Sequence, residues 1–131
     1  MRLARGASRL YLAASNTGAL ISVSALLGCL ASGYEPESAE AQAALRYAEG
    51  IGLAFQIVDD VLDATADEET AGKTTGSDAQ RGKTTFLTYY SIEGALDYAA
   101  RVTDEAKSAL KRFSNAEILL DLADYLTRRK Y

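Results

Sequence analysis

The sequence contains no histidine, and it contains only one cysteine and one proline. Without histidine, Ser-His and Cys-His catalysis and histidine-ligated metal sites are excluded. The single cysteine, Cys29, cannot form a disulfide within the chain, which favours a reducing compartment, and we therefore predict a cytoplasmic location. The net charge is −4, so the chain as a whole lacks the excess of basic residues that binding to nucleic acid requires. No nucleic acid is therefore expected as a partner.

The side chains that remain for chemistry are carboxylates, lysine, arginine, threonine and tyrosine, a set that suits Mg²⁺ and an anionic substrate. Hydrophobic residues make up 48% of the chain, which is enough for a core. The scarcity of proline and the lack of Asn-Gly or Asp-Gly hairpin signals favour helices over strands. We predict an all-α fold with helices over 17–31, 37–64, 93–112 and 115–129, and a loop over 65–83. Asn115 is the expected cap of the last helix.

Residues 10–34 carry no charge, and this stretch permits more than one interpretation. It could be a signal or membrane-spanning segment, and the residues up to Cys29 are similar to a lipoprotein cleavage site, which leaves a lipid anchor open. Polar residues and glycines dilute its apolar character, however. We therefore favour a buried helix that ends at Gly33 and lets a neighbour approach through small residues such as Gly28. No stable membrane span is expected.

Three carboxylates interrupt the apolar part of the second predicted helix, namely Asp59, Asp60 and Asp63. At about 100° per residue, Asp60 lies about 100°, Gln56 about 60° and Asp63 about 40° from Asp59, so the four side chains share one arc. This helix carries no basic residue after Arg46. A divalent cation would offset the clustered charge, and Mg²⁺ binds through one or two carboxylates, water and phosphate oxygens. The pattern predicts a metal between protein and phosphate; the plainer alternative is a solvated acidic helix end.

The predicted loop supplies positive charge directly after these carboxylates. It contains two glycine–lysine elements, Gly72-Lys73 and Gly82-Lys83, and lysines beside glycines on a loop can fold over a metal-bound anion. Asp78, between the two elements, could orient a lysine or a metal-bound water. Neither element has the Gly-x-x-x-x-Gly-Lys spacing after a strand that defines a P-loop. Each element alone is more often a solvated loop lysine, but the pair placed here indicates an anion site.

This series of motifs resembles the trans-isoprenyl diphosphate synthases, the family of farnesyl and geranylgeranyl diphosphate synthases. The family's second aspartate-rich motif, Phe-Gln-x-x-Asp-Asp-x-x-Asp, stands here at 55–63. Its Gly-Lys-x-x-Gly-x-Asp and Gly-Lys-x-Thr elements stand at 72–78 and 82–85, and its Lys-Thr-Gly-Ala-Leu appears as Asn-Thr-Gly-Ala-Leu at 16–20. The chain's ending at 121–129 also looks like the family's. The resemblance implies the C-terminal part of an isoprenoid-synthase-type helical bundle.

The resemblance also implies an activity, a magnesium-dependent transfer of prenyl groups in isoprenoid biosynthesis. An allylic diphosphate ionises with metal assistance, and the double bond of isopentenyl diphosphate attacks the allylic cation inside a dry apolar cavity. The resemblance implies Mg²⁺ ligation by Asp59, Asp60 and Asp63. It implies catalytic roles for Lys73, Thr17 and Gln56. The substrate-binding residues that it implies are Asn16, Thr17, Phe55, Gln56, Lys73, Asp78 and Lys83.

Two departures from the family pattern shape what we expect of this chain. Asn16 replaces the family's lysine, and no acidic residue precedes Asn16, so the first aspartate-rich motif is missing. We interpret residues 1–131 as a single C-terminal half-domain, with 1–15 as a divergent extension or truncated start, and expect little or no turnover from the chain alone.

Such a half-bundle should expose apolar faces on the helices at 17–31 and 37–64, which predicts a homo-oligomer or a partner chain. The alternative function is a non-catalytic diphosphate-binding subunit or interaction partner of a full-length synthase. A class I terpene cyclase shares the carbocation chemistry, but the paired glycine–lysine elements fit chain elongation better.

Overall fold

The computed structural model describes residues 16–71 and 85–128, and within these two ranges the regular structure is entirely helical. Four α-helices follow one another: α1 (Asn16–Ala31), α2 (Ala39–Ala71), α3 (Ile92–Ala109) and α4 (Glu117–Thr127). Short 3-10 turns stand before and after α3, at Phe86–Thr88 and Leu110–Arg112. The central helix is α2, because α1, α3 and α4 all pack against it. The predicted all-α fold is confirmed.

Gly33 follows the end of α1, as the sequence predicts. Its φ of 87° lies in the left-handed region, which glycine adopts without steric strain. The Tyr34 N–H donates to the Cys29 carbonyl at 3.1 Å, and the Gly33 N–H donates to the Leu30 carbonyl at 3.0 Å. Because these bonds satisfy carbonyls that a helix end leaves open, the chain can turn sharply and bring α2 alongside α1.

Ser38 sets the start of α2, slightly later than predicted. Its hydroxyl oxygen accepts from the Ala41 N–H at 3.1 Å, which satisfies one of the donors that a helix start leaves unpaired. The helix therefore begins at Ala39 rather than beside Pro36. The Gln42 side-chain amide donates to the Pro36 carbonyl at 3.0 Å and holds the preceding turn against the first turn of the helix.

The end of α2 differs from the prediction, since residues 65–71 are helical and not part of a loop. The Thr65 hydroxyl donates to the carbonyls of Val61 and Leu62, each at 3.0 Å. A threonine bonded in this way stays within a helix, and the residues that follow are mainly alanine and glutamate or aspartate. The predicted boundary at residue 64 is wrong because the helix has no breaker there. Residues 72–83 of the predicted loop lie outside the described residues.

The two later helices begin differently. Ser91 caps α3, and its hydroxyl oxygen accepts from the Gly94 N–H at 3.1 Å. The cap position of α4 is held by Ala116, which makes no side-chain capping bond. The prediction that Asn115 caps α4 is therefore wrong. Asn115 lies exposed in the bend before the helix, and α4 is positioned by its packing instead.

The core runs along α2 as two neighbouring clusters. The first joins α2 to α3 and to the first 3-10 turn, and its buried members are Leu53, Ala54, Ile57, Val58, Val61, Phe86, Ala95 and Ala99. The second lies nearer the start of α2 and reaches α4, and its buried members are Tyr47, Ile51, Ala106, Leu110, Ala116 and Ala123. The Tyr47 hydroxyl donates to the Leu119 carbonyl at 2.6 Å, which ties α4 to α2.

Helix α1 is far more exposed than the buried helix that the sequence predicts. Among its residues only Gly18 and Cys29 are buried, and its exposed large apolar side chains are Leu20, Val23, Leu27 and Leu30. The expected apolar face is thus confirmed on α1. It is not found on α2, where no large apolar side chain between 39 and 68 is exposed. No helix in the described ranges is both long and apolar enough to cross a membrane.

Candidate functional site

The predicted acidic residues lie in the C-terminal half of α2, at the border of its core face. Asp59 and Asp60 are half-buried, and Asp63 is exposed. Val58 and Val61 of the same turns are buried, with 2% and 0% of their surfaces exposed. Burial of these two side chains fixes the rotation of α2 about its axis, because one stripe of a helix faces the core. The carboxylates are therefore presented at the edge of the core by a rigid element.

Asp60 connects α2 to two other groups. Its Oδ2 accepts from the Phe86 N–H at 3.0 Å, and its Oδ1 accepts from Gln56 Nε2 at 3.4 Å. The first bond returns the chain to α2 directly after the segment that contains Lys83. The second joins side chains one helical turn apart. An ionised carboxylate accepts and cannot donate, so Gln56 must turn the nitrogen of its amide toward Asp60.

Phe86 is held in place by aromatic neighbours as well as by Asp60. Its ring stacks on that of Tyr90, with centroids 4.6 Å apart and 10° between the planes. It also meets the ring of Tyr98, on α3, at 5.2 Å in a tilted arrangement. The Arg101 guanidinium lies 5.5 Å from the centre of the Tyr98 ring. Since such contacts favour defined geometries, the turn at Phe86 is fixed to α3 on one side and to α2 on the other.

Phe86, Tyr90 and Tyr98 are residues that the sequence analysis missed. The available signal was their position, because Phe86 follows the second glycine–lysine element and Tyr90 lies four residues later. That spacing indicates a local aromatic pair. It does not indicate that the backbone N–H of Phe86 meets a carboxylate 26 residues earlier in the chain.

The acidic face of α2, which consists of Asp59, Asp60 and Asp63, agrees with one mode of Mg²⁺ binding. No group of three or more histidine, cysteine, aspartate or glutamate side chains in the described ranges is arranged to hold a metal ion. A closed protein cage is not how Mg²⁺ is usually bound, however, because one or two carboxylates share it with water and substrate phosphates. Asp59 and Asp63 lie one helical turn apart, which places their Cβ atoms about 5–6 Å from each other. Two carboxylates so placed fit an ion that a diphosphate also ligates.

The other predicted site residues are divided among three places. Phe55 and Gln56 are half-buried on α2, beside the carboxylates. Asn16 and Thr17 are the first residues of α1, and both are exposed. The residues predicted to contact diphosphate from the loop lie outside the described residues; they are Lys73, Asp78 and Lys83.

A cavity of about 460 Å³ lies between α3 and α4, on another part of the molecule. Its lining includes Lys107, Lys111 and Glu117, and none of the predicted site residues. The predicted site residues that the structure describes therefore lie outside this cavity.

The chain belongs to the polyprenyl synthetase family, whose family model matches residues 9–123. It is 39% identical over 114 residues to a geranylgeranyl diphosphate synthase of Cyanophora paradoxa, a match that covers 86% of this chain and 37% of that protein. It is 39% identical over 117 residues to a farnesyl diphosphate synthase of Escherichia coli (strain K12), covering 86% of this chain and 39% of that protein.

A third relative is a heterodimeric geranylgeranyl pyrophosphate synthase large subunit 2 of Arabidopsis thaliana, with 34% identity over 115 residues that covers 86% of this chain and 30% of that protein. The chain thus spans between 30% and 39% of the length of these three relatives. The predicted resemblance is confirmed at the level of the family.

Proposed function

We propose that the protein supplies a magnesium- and diphosphate-binding part of a prenyl transfer site, at which an allylic diphosphate is condensed with isopentenyl diphosphate, and that the chain alone is weakly active or inactive. The observation that carries the proposal is the acidic face of α2, where Asp59 and Asp63 lie one turn apart beside Gln56 and Phe55. Membership of the polyprenyl synthetase family supports it, as do the names of the relatives.

In this proposal Asp59 and Asp63 hold Mg²⁺ together with the diphosphate of the allylic substrate. The bound ion supplies charge neutralisation for the departing diphosphate. Lys73 and Lys83 contact the same diphosphate. The bond between the allylic carbon and its oxygen breaks, and the electron pair leaves with diphosphate. The isopentenyl double bond then forms the new carbon–carbon bond with the allylic cation, and the resulting cation gives the product by losing a proton to the released diphosphate.

The side chains beside the carboxylates handle the cation in this proposal. Gln56 presents an amide whose nitrogen faces Asp60, so the carbonyl oxygen at its other end can stabilise positive charge. Thr17 supplies a second oxygen, and Asn16 stands where the family carries a lysine. Phe55 and the apolar surface around it exclude water, which would otherwise capture the cation.

A condensation assay tests the proposal. The complete 131-residue chain is incubated with Mg²⁺, an allylic diphosphate and isopentenyl diphosphate, and binding and product are both measured. The sequence holds one Asp-Asp-x-x-Asp motif, so we expect magnesium-dependent binding of the allylic diphosphate with little or no turnover by the chain alone.

The matched control is Asp67→Asn, a change at an exposed acid farther along α2 that has no part in the proposed site. We expect binding to survive Asp67→Asn and to be lost in Asp59→Asn. Failure of the unaltered chain to bind the allylic diphosphate would overturn the proposal. Robust elongation by the chain alone would support transfer but refute the expectation of low turnover.

A second candidate function is a non-catalytic subunit that binds diphosphate and completes or modulates a full-length synthase. The exposed apolar face of α1 favours it, because Leu20, Val23 and Leu27 would be covered by a partner chain or by a second copy. One of the relatives is named as a subunit of a heterodimer. Co-purification with a full-length synthase, with a change in that synthase's rate, would favour this function over the first.

A further inference from the structure

Asp60 accepts hydrogen bonds from the backbone of Phe86 and from the side chain of Gln56. We propose that Asp60 is a positioning residue, which holds the backbone of Phe86 and the side chain of Gln56 in place, while Asp59 and Asp63 face the metal and diphosphate. This inference rests on the proposed function, and it divides the three carboxylates of the motif between two roles.

The positions of the three carboxylates around the helix axis support this division of roles. Asp59 and Asp63 are about 40° apart around the axis of α2, whereas Asp60 lies at the other end of the shared arc, about 100° from Asp59 and about 60° from Asp63. Asp60 is also drawn toward the first 3-10 turn, since its Oδ2 is 3.0 Å from the nitrogen of Phe86. Asp63 is exposed and stays on the solvent side of the helix.

The partner of Asp60 needs the bond that the carboxylate supplies. Phe86 is buried, with 8% of its surface exposed, and its ring contacts the rings of both Tyr90 and Tyr98. A buried backbone N–H without an acceptor is destabilising, and an ionised carboxylate is a stronger acceptor than a neutral group. Asp60 therefore stabilises the geometry of the chain where it returns to α2 after the glycine–lysine elements.

The electrostatics of the same bonds disfavour Asp60 as a metal ligand. Each carboxylate oxygen has a second lone pair, so hydrogen bonding alone does not prevent ligation. However, the N–H groups of Phe86 and Gln56 both direct the positive ends of their dipoles toward the Asp60 oxygens. A cation bound at those oxygens would lie close to two like-signed dipole ends.

The positioning role extends to the amide of Gln56. Because Asp60 accepts from Nε2, it selects one of the two orientations that a glutamine amide can adopt. The carbonyl oxygen then occupies the opposite end of the amide. If the proposed function holds, Asp60 thereby orients the oxygen that stabilises the cation without touching the substrate itself.

The test uses the complete chain with four substitutions, Asp60→Asn, Asp60→Ala, Asp59→Asn and Asp67→Asn. Asparagine at position 60 keeps an oxygen that can accept from Phe86 but loses the charge, whereas alanine removes the acceptor. Asp67→Asn is the control for loss of one charge from α2. Two quantities are measured: the hydrogen-exchange rate of the Phe86 amide by NMR, and the Mg²⁺ concentration that gives half-maximal binding of inorganic diphosphate.

For the Phe86 amide, we expect Asp60→Ala to accelerate exchange by about tenfold or more, and Asp60→Asn to do so by a smaller factor. Asp59→Asn should leave this rate unchanged. For inorganic diphosphate, we expect Asp59→Asn to raise the Mg²⁺ requirement by about a hundredfold, and Asp60→Asn to raise it by no more than about fivefold. Asp67→Asn sets the baseline for both measurements.

Two results would overturn the inference. One is an equal rise in the Mg²⁺ requirement for Asp60→Asn and Asp59→Asn, which would make Asp60 a ligand like its neighbour. The other is unchanged exchange of the Phe86 amide in Asp60→Ala. If the unaltered chain binds no diphosphate at all, the proposed function and the metal-facing role of Asp59 both fail, while the exchange rates still decide whether Asp60 anchors Phe86.

Discussion

Helices α1 and α2 lie side by side, and both are rich in apolar residues. Most apolar side chains of α2 are buried, however, whereas most of those on α1 are exposed. Ile57 and Val61 of α2 are each 0% exposed, whereas Leu20 and Leu27 of α1 are 69% and 59% exposed. The cause is the number of neighbours, since α2 packs against all three other helices and α1 packs chiefly against α2. An apolar sequence thus indicates that a helix can be buried, but the neighbours that are present decide whether it is.

The same difference explains why the candidate site is built on α2. Side chains that must be held in a defined geometry are better supported by an element locked on several sides. The acidic residues from Asp59 to Asp63 stand on such an element. Asn16 and Thr17, in contrast, are exposed at the start of α1, where the contacts of the described residues constrain them less.

The largest expected contrast between the two helices is in the cost of removing an apolar side chain. We expect Ile57→Ala to lower the free energy of unfolding by about 2–5 kcal/mol, because it leaves a cavity in the core. Leu27→Ala on α1 should change it by no more than about 0.5 kcal/mol. Urea denaturation of both variants measures the difference. A loss in Leu27→Ala as large as that in Ile57→Ala would contradict the comparison, and its dependence on protein concentration would reveal self-association.

Substitution of two glycines by alanine is expected to change the stability of the fold in opposite directions. A Cβ at Gly50 of α2 would lie 2.7 Å from the Cβ of Ala106 on α3, whereas a Cβ at Gly28 of α1 would meet nothing within 4 Å. We expect Gly50→Ala to destabilise the fold by about 1–2 kcal/mol, since overpacking outweighs the gain in helix propensity. Gly28→Ala should stabilise it by about 0.5–1 kcal/mol. Thermal unfolding of both variants gives the signs, and a destabilising Gly28→Ala would show that α1 has a close neighbour there.

The hydroxyl of Tyr47 tests the contact between α2 and α4. Tyr47→Phe should cost about 1 kcal/mol, because the Leu119 carbonyl loses its 2.6 Å partner. Tyr34→Phe, at an exposed tyrosine after α1, is the control and should be close to neutral. Burial raises the pKa of Tyr47 to about 12, against about 10 in an unfolded chain.

The raised pKa of Tyr47 gives a pH dependence of known sign. Between about pH 10 and pH 12 the unfolded chain ionises at this tyrosine while the folded chain does not, so stability falls as the pH rises. Tyr47→Phe should remove that part of the fall. If the stability of the unaltered chain and of Tyr47→Phe declines in parallel across this range, burial of the hydroxyl is not its cause.

The smallest expected effect concerns an ion pair between α3 and α4. Lys107 Nζ lies 3.0 Å from each carboxylate oxygen of Asp124. Because both side chains are partly solvated, Asp124→Asn should cost only about 0.2–1 kcal/mol, and less in high salt. Asp121→Asn, an exposed position on the same helix, serves as the control. An effect of Asp124→Asn that is unchanged in 1 M salt, a concentration at which the Debye length is about 3 Å, would argue against an electrostatic origin.

The sequence predicted those features of the fold that depend on local chemistry. The end of α1 followed from Gly33, because only a left-handed residue closes a helix in this way. The end of α2 was predicted too early, because the helix contains no breaker at Thr65 and continues to Ala71. The start of α4 is decided by packing around Ala116 rather than by a capping side chain, so Asn115 gave a misleading local signal.

The candidate site shows the same distinction between local features, which the sequence predicted, and contacts between distant residues, which it did not. The spacing of Gln56 and Asp60 on one helix was enough to predict that they are neighbours. The hydrogen bond from the Phe86 N–H to Asp60 depends on how the chain folds back after α2, and no periodicity in the sequence predicts it. The apolar face of α1 followed from its composition, but nothing in the composition identifies a binding partner for it.

We propose above that the acidic face of α2 binds a diphosphate through magnesium. Calorimetric titration of the complete chain with inorganic diphosphate, with and without Mg²⁺, tests it most directly when Asp59→Asn and Asp67→Asn are run in parallel. We expect the unaltered chain and Asp67→Asn to bind diphosphate only when Mg²⁺ is present, and we expect no binding by Asp59→Asn. Binding that is independent of Mg²⁺, or that survives Asp59→Asn undiminished, would contradict it.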